Sequence, residues 1–185
     1  MQYDLENTDV SLELFGSDNS KLIDERITNN KETPFLLMLR ASTSAKDFLL
    51  SKKARSITIF IGKGNNGEDG LCLAALLKIE NIKTNVVDLS HKNRPKTYAY
   101  KFCLNLGINI HKFNAYKIPN ADWYVDAIFG IGLNRNLTGD YLSAVNYLQC
   151  TKSKKILSLD IPSGLHGSRG NIFNKTVQAQ LPSPF

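Results

Sequence analysis

Three short segments of the sequence place carboxylate, amide and hydroxyl side chains next to glycines, a combination suited to binding and transforming a small polar ligand. They cover residues 62–70, 125–135 and 159–165. In the last two, Asp126 and Asp160 stand near the end of an apolar run. A carboxylate in such a place must be hydrogen-bonded or bound to a cation, because burying an unpaired charge is costly. These residue types therefore predict a site for an anionic ligand, a cation, or both.

The first segment, residues 62–70, is suited to an anion. Its four glycines let a ligand approach the backbone N–H groups closely. The segment leads into a predicted helix, whose N-terminal N–H groups and dipole attract negative charge. Asn65, Asn66 and Asp69 add polar side chains. A tight strand-to-helix turn built from Asn and Gly explains the same residues equally well.

The second and third segments also allow two interpretations each. Arg135 follows the glycines of the second segment and is suited to a phosphate, but Asp126 could instead form an ordinary salt bridge with a neighbouring basic residue. In the third segment, Ser163 stands in a turn fixed by Pro162. Asp160 or Ser163 could simply cap that turn. Three such segments after successive strands favour a functional site over three separate structural explanations.

Alternating strand and helix patterns must position these segments. Short β-branched or aromatic runs predict strands at residues 57–61, 84–89, 108–111, 121–128 and 156–161. Helical spacing predicts helices at 71–78, 95–106 and 140–148, after two N-terminal helices that are interrupted between residues 29 and 34. This order predicts an α/β fold, a three-layer Rossmann-like sandwich with a mostly parallel sheet and helices on both faces. Ligands bind beyond the carboxyl ends of the strands in such sheets, where the three segments fall.

Length and charge are consistent with one basic domain. The chain has 185 residues and a net charge of +6, from 23 basic and 17 acidic side chains. Residues 1–20 hold five acidic and no basic side chains, so the other 165 residues carry 23 basic and 12 acidic groups, or +11. We expect an acidic N-terminal arm at 1–20 and one domain at 21–185 that ends before its last elements. The basic body attracts nucleotides or nucleic acid, or only aids solubility.

The cysteines and the N-terminus indicate a cytoplasmic protein. The three cysteines have no CxxC spacing, which predicts buried free thiols in a reducing compartment. The N-terminus has neither the basic nor the apolar region of a signal peptide. No uncharged apolar run approaches the ~20 residues of a membrane helix, so we expect no membrane association.

Taken together, the three segments resemble the motifs of the YjeF N-terminal domain, the NAD(P)HX epimerase family. Residues 62–70 read GKGNNGEDG, where the family has GxGNNGxDG. Residues 125–135 and 159–165 read VDAIFGIGLNR and LDIPSGL, and both follow the family pattern. The LMLRA stretch at 37–41 is similar to a family helix before the first strand. The resemblance extends from about residue 20 to the C-terminus.

The resemblance implies repair of nicotinamide cofactors. The substrate would be NAD(P)HX, a hydrated NADH or NADPH, whose R and S epimers the enzyme interconverts so that a stereospecific dehydratase can restore the cofactor. A potassium ion (K+) is implied, with ligands on Asn66, Asp126 and Ser163. Asp160 is the predicted catalytic residue, which protonates the leaving hydroxyl and deprotonates the returning water. The apolar residues before Asp160 predict that its carboxylate is half-buried.

The substrate contacts implied by the resemblance come from two segments and Asp160. They are Asn65, Asn66, Gly67, Glu68, Asp69, Gly130, Ile131, Gly132, Leu133, Asn134, Arg135, Asn136 and Asp160. A homodimer is also expected, and in many bacteria the domain is fused to the dehydratase.

Four residues depart from the family pattern. The chain has Glu68 and Ser42 where glycine is usual, His166 where Asp is frequent, and Lys63 in place of a common proline. We expect Glu68 to add a negative charge beside the phosphate-binding segment. The alternative function is therefore a non-catalytic binding or scaffold module with a protein or RNA partner. Retention of Asp126, Asp160 and the other site residues favours the enzyme.

Overall fold

A computed structural model of the chain describes residues 34–90, 94–150 and 155–179. The predicted acidic arm and the first of the two N-terminal helices lie outside these ranges. The described residues form, in order, α1 (Pro34–Ser51), β1 (Ser56–Ile61), α2 (Asn65–Ile79), β2 (Lys83–Asp88), α3 (Tyr98–Asn105), β3 (Asn109–Lys112), β4 (Trp123–Ala127), α4 (Gly139–Gln149) and β5 (Lys155–Ser158).

The five strands form one parallel sheet in the order β3-β2-β1-β4-β5. The chain moves outward from β1 to β3 and then returns to place β4 on the other side of β1. The carboxyl ends of β1 and β4 therefore flank the point where the strand order reverses, which is where open α/β sheets bind ligands. Phe60 pairs with Asp126 in this register, so the first two motif segments begin side by side.

Helices cover both faces of the sheet. One apolar cluster joins α1, α2 and α3 to strand residues such as Ile57 and Ile59. The other joins α4 to residues on the opposite face, among them Phe60 and Tyr124. Because β1 is buried on both faces, Ile59, Phe60 and Ile61 follow one another without alternating with polar residues, and Thr58 is buried as well. The predicted three-layer α/β fold is confirmed.

Three element boundaries differ from the sequence-based prediction by three residues or more. The α2 helix begins at Asn65 rather than at residue 71, because Gly70 allows the helix to pack closely on the sheet, where a side chain would collide with Ala127 and Ile61. The α3 helix begins after Thr97, whose side chain caps it by accepting a hydrogen bond from Tyr100 N at 3.3 Å. The last strand is shorter than predicted, since β5 ends at Ser158.

The cysteine prediction is correct for two residues and wrong for one. All three thiols are free, with Cys72 and Cys103 buried, but Cys150 is exposed because it caps the C-terminus of α4. No helix within the described ranges has the length and apolar character needed to cross a bilayer.

The fold predicts a large difference between two Ile→Ala substitutions. Ile59 has no exposed surface, so Ile59→Ala should lower the free energy of unfolding by about 2–5 kcal/mol. Ile79 is 58% exposed at the end of α2, so Ile79→Ala should change it by less than about 0.5 kcal/mol. Urea denaturation followed by circular dichroism measures both, and equal effects would contradict the assignment of β1 to the core.

Candidate active site

Asp126 is buried at the end of β4 and accepts four hydrogen bonds. Its Oδ1 accepts from Ser163 Oγ at 2.6 Å and from Ile128 N at 3.2 Å. Its Oδ2 accepts from Ser163 N at 2.8 Å and from Ser158 Oγ at 3.0 Å. Among the described residues no Lys or Arg forms a salt bridge with it, so the salt-bridge interpretation is wrong. These bonds hold the turn after β5 against the end of β4.

Asn66 brings an unsatisfied oxygen to the same place. Its Nδ2 donates to the carbonyl of Phe129 at 2.9 Å, but its buried Oδ1 has no hydrogen-bond partner. Ser163 Oγ lies 3.2 Å from the same Phe129 carbonyl. An unpaired buried acceptor is unfavourable, and a cation among these oxygens would satisfy it.

The donor set is suited to potassium. It combines the Asn66 amide oxygen, the Asp126 carboxylate and the Ser163 hydroxyl with the Phe129 carbonyl. Carbonyl oxygens replace the hydration shell of K+ in its protein sites. Burial raises the pKa of Asp126, while hydrogen bonds from Ser163, Ile128 and Ser158 oppose that rise. A bound cation would likewise favour the ionised carboxylate.

Asp160 is fixed by the segment that follows β4. Its Oδ2 accepts a hydrogen bond from Ile131 N at 3.0 Å. A side chain at Gly130 would overlap the same oxygen, so this close contact requires glycine. The carboxylate is exposed, and the prediction that it is half-buried is wrong because β5 ends two residues earlier, at Ser158.

Asp69 is the second carboxylate of the candidate site. It is partly buried in the first turns of α2, and its backbone carbonyl accepts a hydrogen bond from Ser42 Oγ at 3.0 Å. Burial, followed by the negative charges of Asp160 and Glu68, raises the pKa of Asp69 to about 6. Like charges oppose each other's ionisation, so Asp69 keeps its proton to a higher pH than an ordinary carboxyl does.

Glu68 does not add an unpaired charge to the site. Its Oε1 accepts a hydrogen bond from Arg94 Nη1 at 3.1 Å, and its Oε2 accepts one from Thr97 Oγ1 at 2.6 Å. Arg94 also donates to Asp88 Oδ2 at 2.9 Å. Glu68 is therefore paired with Arg94, although its negative charge still helps to raise the pKa of Asp69, as expected of an added carboxylate.

Sequence reasoning missed Arg94. The available signal was Asp88 at the end of a predicted strand, where a carboxylate must be hydrogen-bonded or paired with a positive charge. That partner stands six residues further along, beside Pro95.

The remaining predicted contacts are divided between the surface and the core. Asn65, Gly132, Asn134, Arg135 and Asn136 are exposed. Leu133 is only 7% exposed and its side chain packs in the core.

His166 stabilises the chain after the third segment. Its ring stacks on Phe173, with centroids 5.4 Å apart. Its Nδ1 faces the backbone N atoms of Ser168 and Arg169 at 3.3 and 3.4 Å. His166, which stands where the family frequently has Asp, therefore stabilises a local turn through these contacts.

Curated relatives with similar sequences are epimerases by name. The NAD(P)H-hydrate epimerase of Lentilactobacillus buchneri is 30% identical over 178 residues, which cover 88% of this chain and 78% of that protein. The enzyme of the same name from Levilactobacillus brevis is 32% identical over 155 residues, covering 78% of this chain and 68% of that protein. A bifunctional NAD(P)H-hydrate repair enzyme of Dictyoglomus turgidum is 30% identical over 178 residues, covering 91% of this chain but 34% of its own length.

A solved structure supports the fold. The crystal structure of the yeast protein ynu0, YNL200c, superposes with a TM-score of 0.77 at 22% identity, covering 92% of this chain and 79% of the yeast chain. The family model described as YjeF-related protein N-terminus matches residues 12–181. That match spans most of the sequence and all three motif segments, and the chain therefore belongs to the family of YjeF-related protein N-termini.

Proposed function

We propose that this chain is an NAD(P)H-hydrate epimerase, an isomerase that interconverts the R and S forms of NAD(P)HX. Relatives that are about 30% identical over most of the chain carry that name. The observation that carries the proposal is the placement of Asp160 on Ile131 N beside the buried Asp126 cluster, at the point where the strand order reverses, with its charge raising the pKa of Asp69. A scaffold has no need for two coupled carboxylates there.

The substrate binds across the β1–β4 crevice. Residues 65–69 begin α2, whose N-terminus attracts the phosphates, and residues 130–136 form the opposite wall. Arg135 is exposed on that wall and is free to approach a pyrophosphate. Leu133 contributes backbone only, since its side chain is buried.

The reaction breaks and remakes one C–O bond. The lone pair of the adjacent ring nitrogen expels the hydroxyl, which leaves as water after receiving a proton, and an iminium forms. Water then adds to either face of the iminium carbon and gives up a proton, so atoms and charge balance. Asp160 is the catalytic residue at this centre. Asp69 lies close enough for the charge of Asp160 to raise its pKa, so the two carboxyls together can hold the proton that is transferred.

Asn66, Asp126 and Ser163 would hold a potassium ion. When bound, the ion supplies positive charge that neutralises Asp126 and pairs with the unsatisfied Asn66 oxygen. The chain's own part is to keep these groups in place through the hydrogen bonds of Ser163 and Asp126.

We place the protein in the cytoplasm, as a homodimer that works together with an NAD(P)HX dehydratase. Size-exclusion chromatography with light scattering tests the dimer.

A coupled assay tests the function. Purified protein is incubated with R-NADHX and a dehydratase specific for the S epimer, and NADH formation is followed by absorbance. Formation of NADH that requires the protein supports the proposal. If the parent protein does not increase NADH formation, the scaffold function with a protein or RNA partner becomes the better account.

Asp160→Asn should separate binding from turnover. The amide keeps the size of the side chain but cannot transfer the proton, so epimerisation should slow by about 10²–10⁴-fold while affinity for NAD(P)HX stays near the parental value. Steady-state kinetics and calorimetry on the same preparations measure the two effects. Asp47→Asn, an exposed carboxylate on α1, serves as the control and should change neither. Parental turnover in Asp160→Asn would assign the acid–base role elsewhere.

Asn66→Ala should weaken the potassium site without disturbing the hydrogen bonds of Asp126. The parent should gain thermal stability in KCl relative to choline chloride, and the variant should lose that gain because the unsatisfied oxygen is removed. Asp126→Asn should lose it too. Asp122→Asn is the matched control, since that carboxylate accepts hydrogen bonds from Arg55 N and Ser56 N at the other end of the sheet. Equal responses to KCl in Asn66→Ala and the parent would contradict the site.

Asp69→Asn should alter the pH dependence of stability. The pKa of Asp69 rises on folding from an ordinary 3.8 to about 6, so the folded state binds more protons than the unfolded state between these values. Its ionisation therefore lowers stability as pH rises from about 4 to about 6. The variant should be stabilised relative to the parent at pH 7 more than at pH 4, as measured by thermal unfolding. If the difference in thermal stability between the two proteins does not change with pH, the pKa of Asp69 is not raised by folding.

A further inference from the structure

We propose that Arg94 is a positioning residue for substrate binding, which holds residues 62–68 in shape with Glu68 as its partner. Its side chain is only 4% exposed. Its guanidinium donates to Asp88 Oδ2, to Glu68 Oε1 and to the carbonyl of Gly62. These acceptors lie at the end of β2, in the first turn of α2, and directly after β1. Arg94 therefore joins three elements at the edge of the candidate site.

The planar guanidinium is the group that this arrangement requires. Its Nε, Nη1 and Nη2 each serve a different acceptor, in directions that the fork fixes. A lysine ammonium would supply the charge but not three donors in that plane. The surroundings of the Arg94 guanidinium are also closely packed. A side chain at Gly67 would overlap the Gly62 carbonyl and would lie 3.3 Å from Arg94 Nη2.

Each carboxylate that Arg94 binds also accepts hydrogen bonds on its second oxygen. Asp88 Oδ1 accepts from Ser90 N at 2.8 Å and from Ser90 Oγ at 2.6 Å. Glu68 Oε2 accepts from Thr97 Oγ1 at 2.6 Å. The hydrogen bonds of the guanidinium thus connect the first turn of α2 to the segment between β2 and α3.

Residues 62–68, which Arg94 holds in place, contain the side chains that are expected to contact the ligand. Asn65 and Asn66 lie between Gly62 and Glu68, and Asn66 carries the unsatisfied oxygen of the cation site. Arg94 contacts this stretch through Gly62 and Glu68 and acts on the ligand through it.

Glu68 and Arg94 depend on each other. Removing one partner of a buried ion pair leaves the other charge without compensation, which is worse than removing both. Without Arg94, the carboxylates of Glu68 and Asp88 would lose the positive charge between them, and Glu68 lies in the first turn of α2, where the substrate phosphates are proposed to bind. Glu68→Gly should therefore partly reverse the effect of losing Arg94.

The experiment compares the parent with Arg94→Lys, Arg94→Ala and Arg94→Ala/Glu68→Gly. Hydrogen exchange by mass spectrometry reports on the backbone of residues 62–70, calorimetry on binding of NADP+, and steady-state kinetics on R-NADHX. Lys46→Ala removes an ion pair with Glu80 far from the crevice and is the control.

Arg94→Lys should fold normally and increase exchange in residues 62–70 but not in α4. It should weaken NADP+ binding and raise KM by roughly 10- to 100-fold, the effect of losing a charged hydrogen bond, with kcat within about threefold because the reacting groups remain. Arg94→Ala should be worse, and the double variant should recover part of the affinity. Lys46→Ala should behave as the parent does.

The proposal is overturned if Arg94→Lys matches the parent in exchange and binding, or if exchange rises equally throughout the molecule, which would indicate a merely structural role. The identity of the substrate rests on the proposed function. If the parent fails to epimerise R-NADHX, that function fails, but exchange and NADP+ binding still test Arg94.

Discussion

Asp126 has no solvent exposure, yet its two carboxylate oxygens determine how the segments after β4 and β5 are placed. Four donors converge on it, two of them from Ser163, so the turn after β5 can take only one position relative to β4. That turn carries Asp160 to the backbone of Ile131. Asn66 reaches the same point from α2 through the Phe129 carbonyl. A hydrophobic residue at position 126 would pack in the core but would leave these donors without a common acceptor.

The features predicted correctly from the sequence are those that a local pattern determines. The β1 strand was predictable because its buried positions, residues 57–61, are all β-branched or aromatic, and alternation of such runs with helices determines the layered fold. The site segments were predictable because glycine, carboxylate and hydroxyl residues follow the strands directly, and a parallel sheet brings its strand ends to one edge.

The features that could not be predicted depend on contacts between distant residues or on glycines, which have no side chain to show a pattern. The first turns of α2 contain glycines, which give no apolar period, so the helix seemed to begin later. Glu68 seemed unpaired because Arg94 is 26 positions away in sequence, and no periodicity links them. The exposure of Asp160 depends on where β5 stops pairing with β4, a property of the register and not of the apolar run before it.

The exposed thiol of Cys150 has a practical consequence. Cys72 and Cys103 are buried, and burial raises the pKa of both thiols, so a maleimide dye should attach to the native protein at one position without mutagenesis. Because α4 returns the chain from the carboxyl to the amino edge of the sheet, its C-terminal residue lies at the end opposite the crevice. A fluorophore there would leave the ligand path open, and the unaltered sequence would supply a single attachment point for following assembly or ligand-induced motion by fluorescence.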